Sequence, residues 1–344
     1  MRAVVVHAAQ DLRIGEVETG APGPGEVSVR VEAGGICGSD LHYFHEGRIG
    51  TITLKEPMIL GHEVAGLIES VGAGVTSLKL GDRVAVSPSR PCGACRFCRE
   101  GQQIHCLDMR FYGSAMRFPH VQGAFRERLV ADAAQCHVVP ASVTAGEAAM
   151  AEPLAVCLHA ANRAGPMLGA RVLVTGSGPI GALCALAARR AGAAEIVATD
   201  LTDAPGSLML RIGADRFLNV ARDASALDAY AADKGYFDVI LEASGSDKAL
   251  TAALPVVRPR GVIVQVGIGG VGSLPLNVIV AKEIDLRGTF RFHAEFALAV
   301  ELIAKRLVDV TPLITATLPF TEARAAFDLA SDRQRAMKVQ LAFA

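Results

Sequence analysis

Up to about residue 150 the apolar positions fall in short runs, VVVHA, VSVRVEA, VAGLIESVG and DRVAVSP, each bounded by glycine or proline. Valine-rich runs this short, cut by turn formers, predict the strands of an irregular all-β domain. From Arg171 the texture changes. RVLVT, EIVAT, FDVILEAS and GVIVQVG read as strands with helical stretches between them, the first being the small-residue segment Pro179 to Ala191. Strands alternating with helices predict a parallel sheet covered on both faces. After about Leu286 the pattern is helical again in HAEFALAVELIAKRL and then gives KVQLAFA, an apolar strand that returns to the first domain. There is no internal repeat and no low-complexity tail.

Composition supports two domains: 344 residues, 51% of them apolar, exceed the size at which a single core keeps growing. A net charge of -1 from 34 basic and 35 acidic residues offers no field to attract nucleic acid or an anionic membrane. The apolar run in MRAVVVHAAQDLRIG is too short for a signal peptide and an acid follows it, so the expected setting is the cytoplasm. Gly261 to Ala281 is uncharged but holds five glycines and a proline, which suits strand and loop better than a membrane span. In a reducing compartment, clustered cysteines are metal ligands or catalytic groups more often than disulfides.

Four of the eight cysteines lie in PCGACRFCREGQQIHC: Cys92, Cys95, Cys98 and Cys106. Four thiolates in this spacing close a tetrahedral shell around zinc, and no terminal Cys-Pro is present to favour an iron-sulfur cluster. A closed shell leaves no position for a substrate, so this zinc is expected to be structural. A second sequence feature, RVLVTGSGPIGALCALAARRAGAAEIVATD, puts Gly176, Gly178, Pro179, Ile180 and Gly181 directly after a strand and at the opening of a helix. That context makes it a dinucleotide loop, where glycines permit a tight turn and the helix N-terminus favours a diphosphate. Asp200, at the end of the next strand, can accept from ribose hydroxyls and would repel a 2′-phosphate, so NAD is expected before NADP. A third set is dispersed: Cys37 with Ser39 and His42, His62 with Glu63, and Glu152. One thiolate, one imidazole and one or two carboxylates suit a zinc ion with an open position, although their distances in sequence do not establish the set.

GGICGSDLHY, GHEVAG, the four-cysteine segment, AEPLAV and GSGPIG occur in the order found in the zinc-dependent medium-chain alcohol and polyol dehydrogenases, which the whole chain resembles. The resemblance implies an α/β protein of two domains, a β-rich chaperonin-10-like catalytic domain and a Rossmann doubly wound parallel sheet. The implied division is residues 1–151 for the catalytic zinc domain with its lobe at 91–106, residues 152–285 for the NAD-binding domain, and residues 286–344 returning to the first. It also implies two Zn2+ ions, one catalytic on Cys37 and His62 with Glu63 or Glu152 as third ligand, and one structural. Ser39 and His42 match a proton relay. Val266, Gly267, Ile268, Thr289, Phe290 and Arg291 fall where that family holds its cofactor. Tyr43 and Arg291 match pocket positions, and Arg110 is the first candidate cation for a carboxylate substrate, with Arg117 and Arg48 also available.

The tracts CLDMRFYGSAMRFPHVQGAF, KGYFDV and RGTFRF resemble members of the family that oxidise a sugar acid, which makes a sugar acid or polyol the expected small-molecule partner. Sorbitol, xylitol and threonine dehydrogenases share the metal motifs and give the alternative substrates. A quinone-reducing member without zinc and a non-catalytic zinc-binding module are the rival classes. Cys37, His62 and Glu152 together argue against the first, and the complete nucleotide loop against the second. A homotetramer or homodimer is expected.

Overall fold

The computed structural model describes residues 1–270 and 272–343. They form two compact units, Met1–Glu152 with Phe296–Asp332 and Lys338–Ala344, and Pro153–Glu295 with Arg333–Met337.

The first unit is built on a seven-stranded sheet that runs Cys136–Val138, Arg83–Val86, Glu63–Val71, Glu26–Gly35, Lys338–Ala342 and Ile314–Pro319, with Arg128–Asp132 also on the Glu26–Gly35 strand. That strand organises the unit. Val27, Val29 and Val31 are fully buried, as the alternation of a half-buried strand requires. Residues 26–30 pair with Arg128–Asp132, and Ala33, Gly34 and Gly35 pair with Ala342, Leu341 and Gln340. Its partner Glu63–Val71 runs antiparallel to it and sets Glu63 opposite Gly35. A Cβ at Gly35 would collide with the Glu63 carboxylate, so only glycine lets that side chain lie across the strand. A smaller sheet of Asp11–Glu16, Arg2–Ala8 and Met58–Ile59 completes the unit.

The second unit is a six-stranded parallel sheet in the order Arg216–Asn219, Glu195–Asp200, Arg171–Thr175, Phe237–Glu242, Val257–Gln265 and Asp285–Gly288. The winding reverses beside Arg171–Thr175, and at such a switch point the carboxyl ends of the strands leave a crevice. The central strands are continuous apolar runs, with Val172, Leu173, Val174, Ile196, Val197 and Ala198 all fully buried. The helix Pro179–Arg190 lies on them through Ala182, Leu183, Cys184 and Ala185. Small residues let the helix approach closely. An expected boundary at 285/286 falls inside the Asp285–Gly288 strand, and the chain stays with this unit through Glu295. Both edge strands, Arg216–Asn219 and Asp285–Gly288, are four residues long and mix apolar with polar residues, so no apolar run marks them. Among the described residues no helix is long and apolar enough to cross a membrane.

Candidate functional site

Cys37, His62 and Glu63 come together in the first unit, with one ligand atom from each lying within 4.8 Å of the others. Cys37 caps the helix Gly38–Glu46, and its backbone N–H donates to Asp40 Oδ2 at 3.0 Å. Asp40 Oδ1 accepts from Gly61 N at 3.0 Å and lies 3.7 Å from His62 Nδ1. The fully buried Asp40 thus ties the two ligand segments together. Ser39 Oγ lies 3.5 Å from His62 Nε2.

Glu63 is held by a residue the sequence reading missed. Lys338 Nζ donates to both carboxylate oxygens, at 2.8 and 2.7 Å, and to Ile36 O at 3.2 Å. A lysine inside the apolar run KVQLAFA was the available signal. Burial alone would lower the Lys338 pKa, but the charges of Glu63 and Cys37 outweigh it and hold the ammonium above its ordinary range. Burial, with the Glu63 charge behind it, pushes the Cys37 thiol up to about 11. Glu152 stands beside this group rather than among its mutually adjacent ligand atoms. Burial pushes its carboxyl up to about 8, with His62 opposing and Glu63 and Cys37 adding to the rise. A thiol driven up by burial, a neighbouring carboxylate and a buried His62 Nδ1 without a hydrogen-bond partner among the described residues fit a site whose missing member is a cation. Three donors of mixed softness suit zinc with one position open.

The other expected residues are placed as follows. His42 is exposed on the Gly38–Glu46 helix, with Nδ1 3.3 Å from Glu46 Oε1. Tyr43 is buried, and its hydroxyl accepts from Ala115 N at 3.0 Å. Phe111, not Arg110, reaches the metal group, its ring centroid 5.5 Å from that of His62. Alternation along the Arg110–Phe111 strand sends the exposed Arg110 to the opposite face, so the structure does not bring it to the site. Arg117 is paired with Asp108, and Arg48 lies 3.7 Å from Glu46.

Cys92, Cys95, Cys98 and Cys106 also form a group with all ligand atoms within 4.8 Å. Backbone N–H groups of Cys98 and Leu107 lower the Cys95 thiol to about 6, while burial pushes Cys98 up to about 12. N–H groups aimed at sulfur favour thiolates, the form that binds zinc. Four sulfurs grouped in this way would close a zinc shell.

In the second unit Gly176 has φ +82°, and a Cβ at Gly181 would strike Gly176 O. A Cβ at Gly178 would meet nothing within 4 Å, which leaves open the cradle that a diphosphate needs at the N-cap of Pro179–Arg190. Ile180 follows in the first turn of that helix. Asp200 Oδ2 accepts from Ser177 N at 2.8 Å, joining the loop to the next strand. The N–H groups of Val266 and Gly267 both donate to Glu242 O at 2.8 Å, and Ile268 is largely exposed. Gln265 Oε1 and Thr289 Oγ1 are buried without hydrogen-bond partners among the described residues. The Arg291 guanidinium stacks on Phe290 at 4.8 Å. Orphaned polar atoms at the strand ends, with an open glycine cradle, fit a dinucleotide.

Residues 23–141 match the alcohol dehydrogenase GroES-like domain, and residues 179–305 the zinc-binding dehydrogenase family. The chain is 45% identical to an L-idonate 5-dehydrogenase (NAD(P)(+)) of Escherichia coli, over 92% of this chain and 91% of that protein. It is 37% identical to the sorbitol dehydrogenase of Homo sapiens, over 95% of this chain and 91% of that protein. The crystal structure of L-idonate 5-dehydrogenase from Escherichia coli K-12 matches with a TM-score of 0.94 at 42% identity, over 99% of this chain and 97% of that one.

Proposed function

The chain belongs to the zinc-dependent medium-chain dehydrogenases, and from that premise we propose that it oxidises a secondary hydroxyl of a sugar acid, L-idonate to 5-keto-D-gluconate, reversibly and with NAD preferred. The observation that carries the reading is the grouping of half-buried Cys37 with buried His62 and Glu63, which would give zinc three donors and leave a position for substrate. Zinc held by these residues would supply Lewis acidity, and a bound dinucleotide would supply a hydride acceptor. The chain's own residues do the rest. Lys338 fixes the orientation of Glu63, and Asp40 that of Cys37 and His62. Ser39 offers a hydroxyl beside His62 to receive the substrate proton, and His42, one turn on along the same helix, releases it to water. Glu152 is a buried carboxyl group beside the Cys37, His62 and Glu63 set, where it can hold the substrate or water at that site. The 45% identity to an L-idonate 5-dehydrogenase, against 37% to sorbitol dehydrogenases, supports the substrate.

One observation favours a second reading, a neutral polyol: the buried cation of the site, Lys338, is taken up by Glu63, and Arg110 faces away. A substrate panel followed by NADH absorbance at matched subsaturating concentrations separates the two. L-Idonate should be oxidised fastest. Faster oxidation of sorbitol or xylitol would assign the chain to the polyol enzymes. A homodimer or homotetramer in the cytoplasm belongs to the same reading. The Asp285–Gly288 strand, last in its sheet among the described residues and carrying the exposed Leu286, supports self-association.

A further inference from the structure

We propose that Arg222 is the residue that receives a 2′-phosphate when the ribose carries one, and that Asp203 competes for it. The proposal rests on the NAD-dependent reading above and deepens it. Asp200 and Asn219 are register partners at the carboxyl ends of adjacent parallel strands, so the loops after them lie side by side. Asn219 Oδ1 accepts from Ala221 N at 3.1 Å and Arg222 N at 3.0 Å, which fixes the backbone of Arg222 at that edge. From there its Nη1 donates to Asp203 Oδ2 at 2.9 Å. A base is thus present on the loop beside the one that follows Asp200, delivered from the neighbouring strand and paired with Asp203.

The local charges set the order of preference. Asp200 is held by Ser177 N at 2.8 Å, Leu201 N at 2.7 Å and Thr202 N at 3.2 Å, which leaves an acceptor site on Oδ2 for a ribose hydroxyl. Asp223 Oδ1 is committed to Ser225, at 2.9 Å to N and 2.7 Å to Oγ. Three carboxylates against one guanidinium favour the unphosphorylated ribose. The Arg222–Asp203 pair is 71% and 60% exposed, however, and an ion pair in that much water holds its partners weakly. A phosphate offers more charge and a geometry that matches the guanidinium fork, so it can draw Arg222 away.

The test is calorimetric titration of the zinc-loaded protein with ADP-ribose and with 2′-phospho-ADP-ribose, which reads binding without turnover or a sugar substrate. Arg222→Met should weaken the phosphorylated ligand about tenfold relative to the other, the scale of one charge-assisted contact. Asp203→Asn should shift the ratio the opposite way by roughly threefold, and Arg222→Lys should restore part of the loss. The ratio of kcat/KM for NADP and NAD should move in parallel. Unchanged ratios in Arg222→Met and Asp203→Asn, with both ligands still bound, would overturn the assignment, as would a wild-type protein blind to the phosphorylated ligand. Failure to bind either ligand would instead refute the dinucleotide reading, and the inference with it.

Discussion

Replacing Lys338 with Met removes the ammonium from a pair whose side chains are 3% and 1% exposed. Methionine nearly conserves volume, so the change is electrostatic rather than a cavity. The Glu63 carboxylate loses donors at 2.7 and 2.8 Å and is left charged beside the Cys37 thiol and Glu152. Removing one partner of a buried pair costs about 3–5 kcal/mol, whereas replacing both by neutral groups is near break-even. The metal-free Lys338→Met variant should therefore lose about 3–5 kcal/mol in urea unfolding at neutral pH, and adding Glu63→Gln should recover most of it. Zinc bound at Glu63 would compensate the same charge, so the loss should shrink when the protein is zinc-loaded. A metal-free variant within about 1 kcal/mol of wild type, or a double variant with the two losses simply added, would refute the reasoning.

Cys95→Ser should reduce the zinc content from two ions per chain to one and lower thermal stability, while zinc remains with Cys37 and His62; a variant that keeps both ions and full heat resistance contradicts a structural lobe. For the metal-free protein the raised Glu152 pKa fixes a sign: its stabilising contribution is complete below the ordinary glutamate value near 4.5 and is lost as pH rises through about 8. Thermal midpoints of the metal-free protein should accordingly fall across that window relative to those of Glu152→Gln, and a constant difference between the two would count against a buried, protonated Glu152.

The two textures of the chain, and hence the two folds, were legible because the valine runs and the strand–helix alternation are local patterns. The four-cysteine lobe was legible for the same reason, as was the GSGPIG turn between its strand and helix. What stayed hidden depends on distant pairing or on strand phase. Asp40 lies in the first turn of the helix after Cys37, and only the approach of Gly61 and His62 makes it a tie between ligand segments. Arg110 and Phe111 are neighbours, and nothing in their sequence tells which faces His62. Arg222 lies 22 residues past Asp200 and reaches its vicinity only because Asn219 pairs with Asp200.

The Lys338–Ala342 strand is inserted between Glu26–Gly35 and Ile314–Pro319, which gives the metal sites a history as well as a geometry. Glu63 precedes its counter-ion by 275 residues, roughly 14–55 s of synthesis at about 5–20 residues per second. The lobe from Cys92 to Cys106 needs no such wait, since its ligands emerge within a few seconds of one another. During translation the chain therefore passes through a stage in which the lobe can capture zinc while the Cys37 group still carries an unneutralised carboxylate and an unfinished wall. Zinc acquisition should therefore be ordered, lobe first, and ribosome-bound chains stalled before residue 338 should hold one ion; two ions at that stage would show that Lys338 is dispensable for loading.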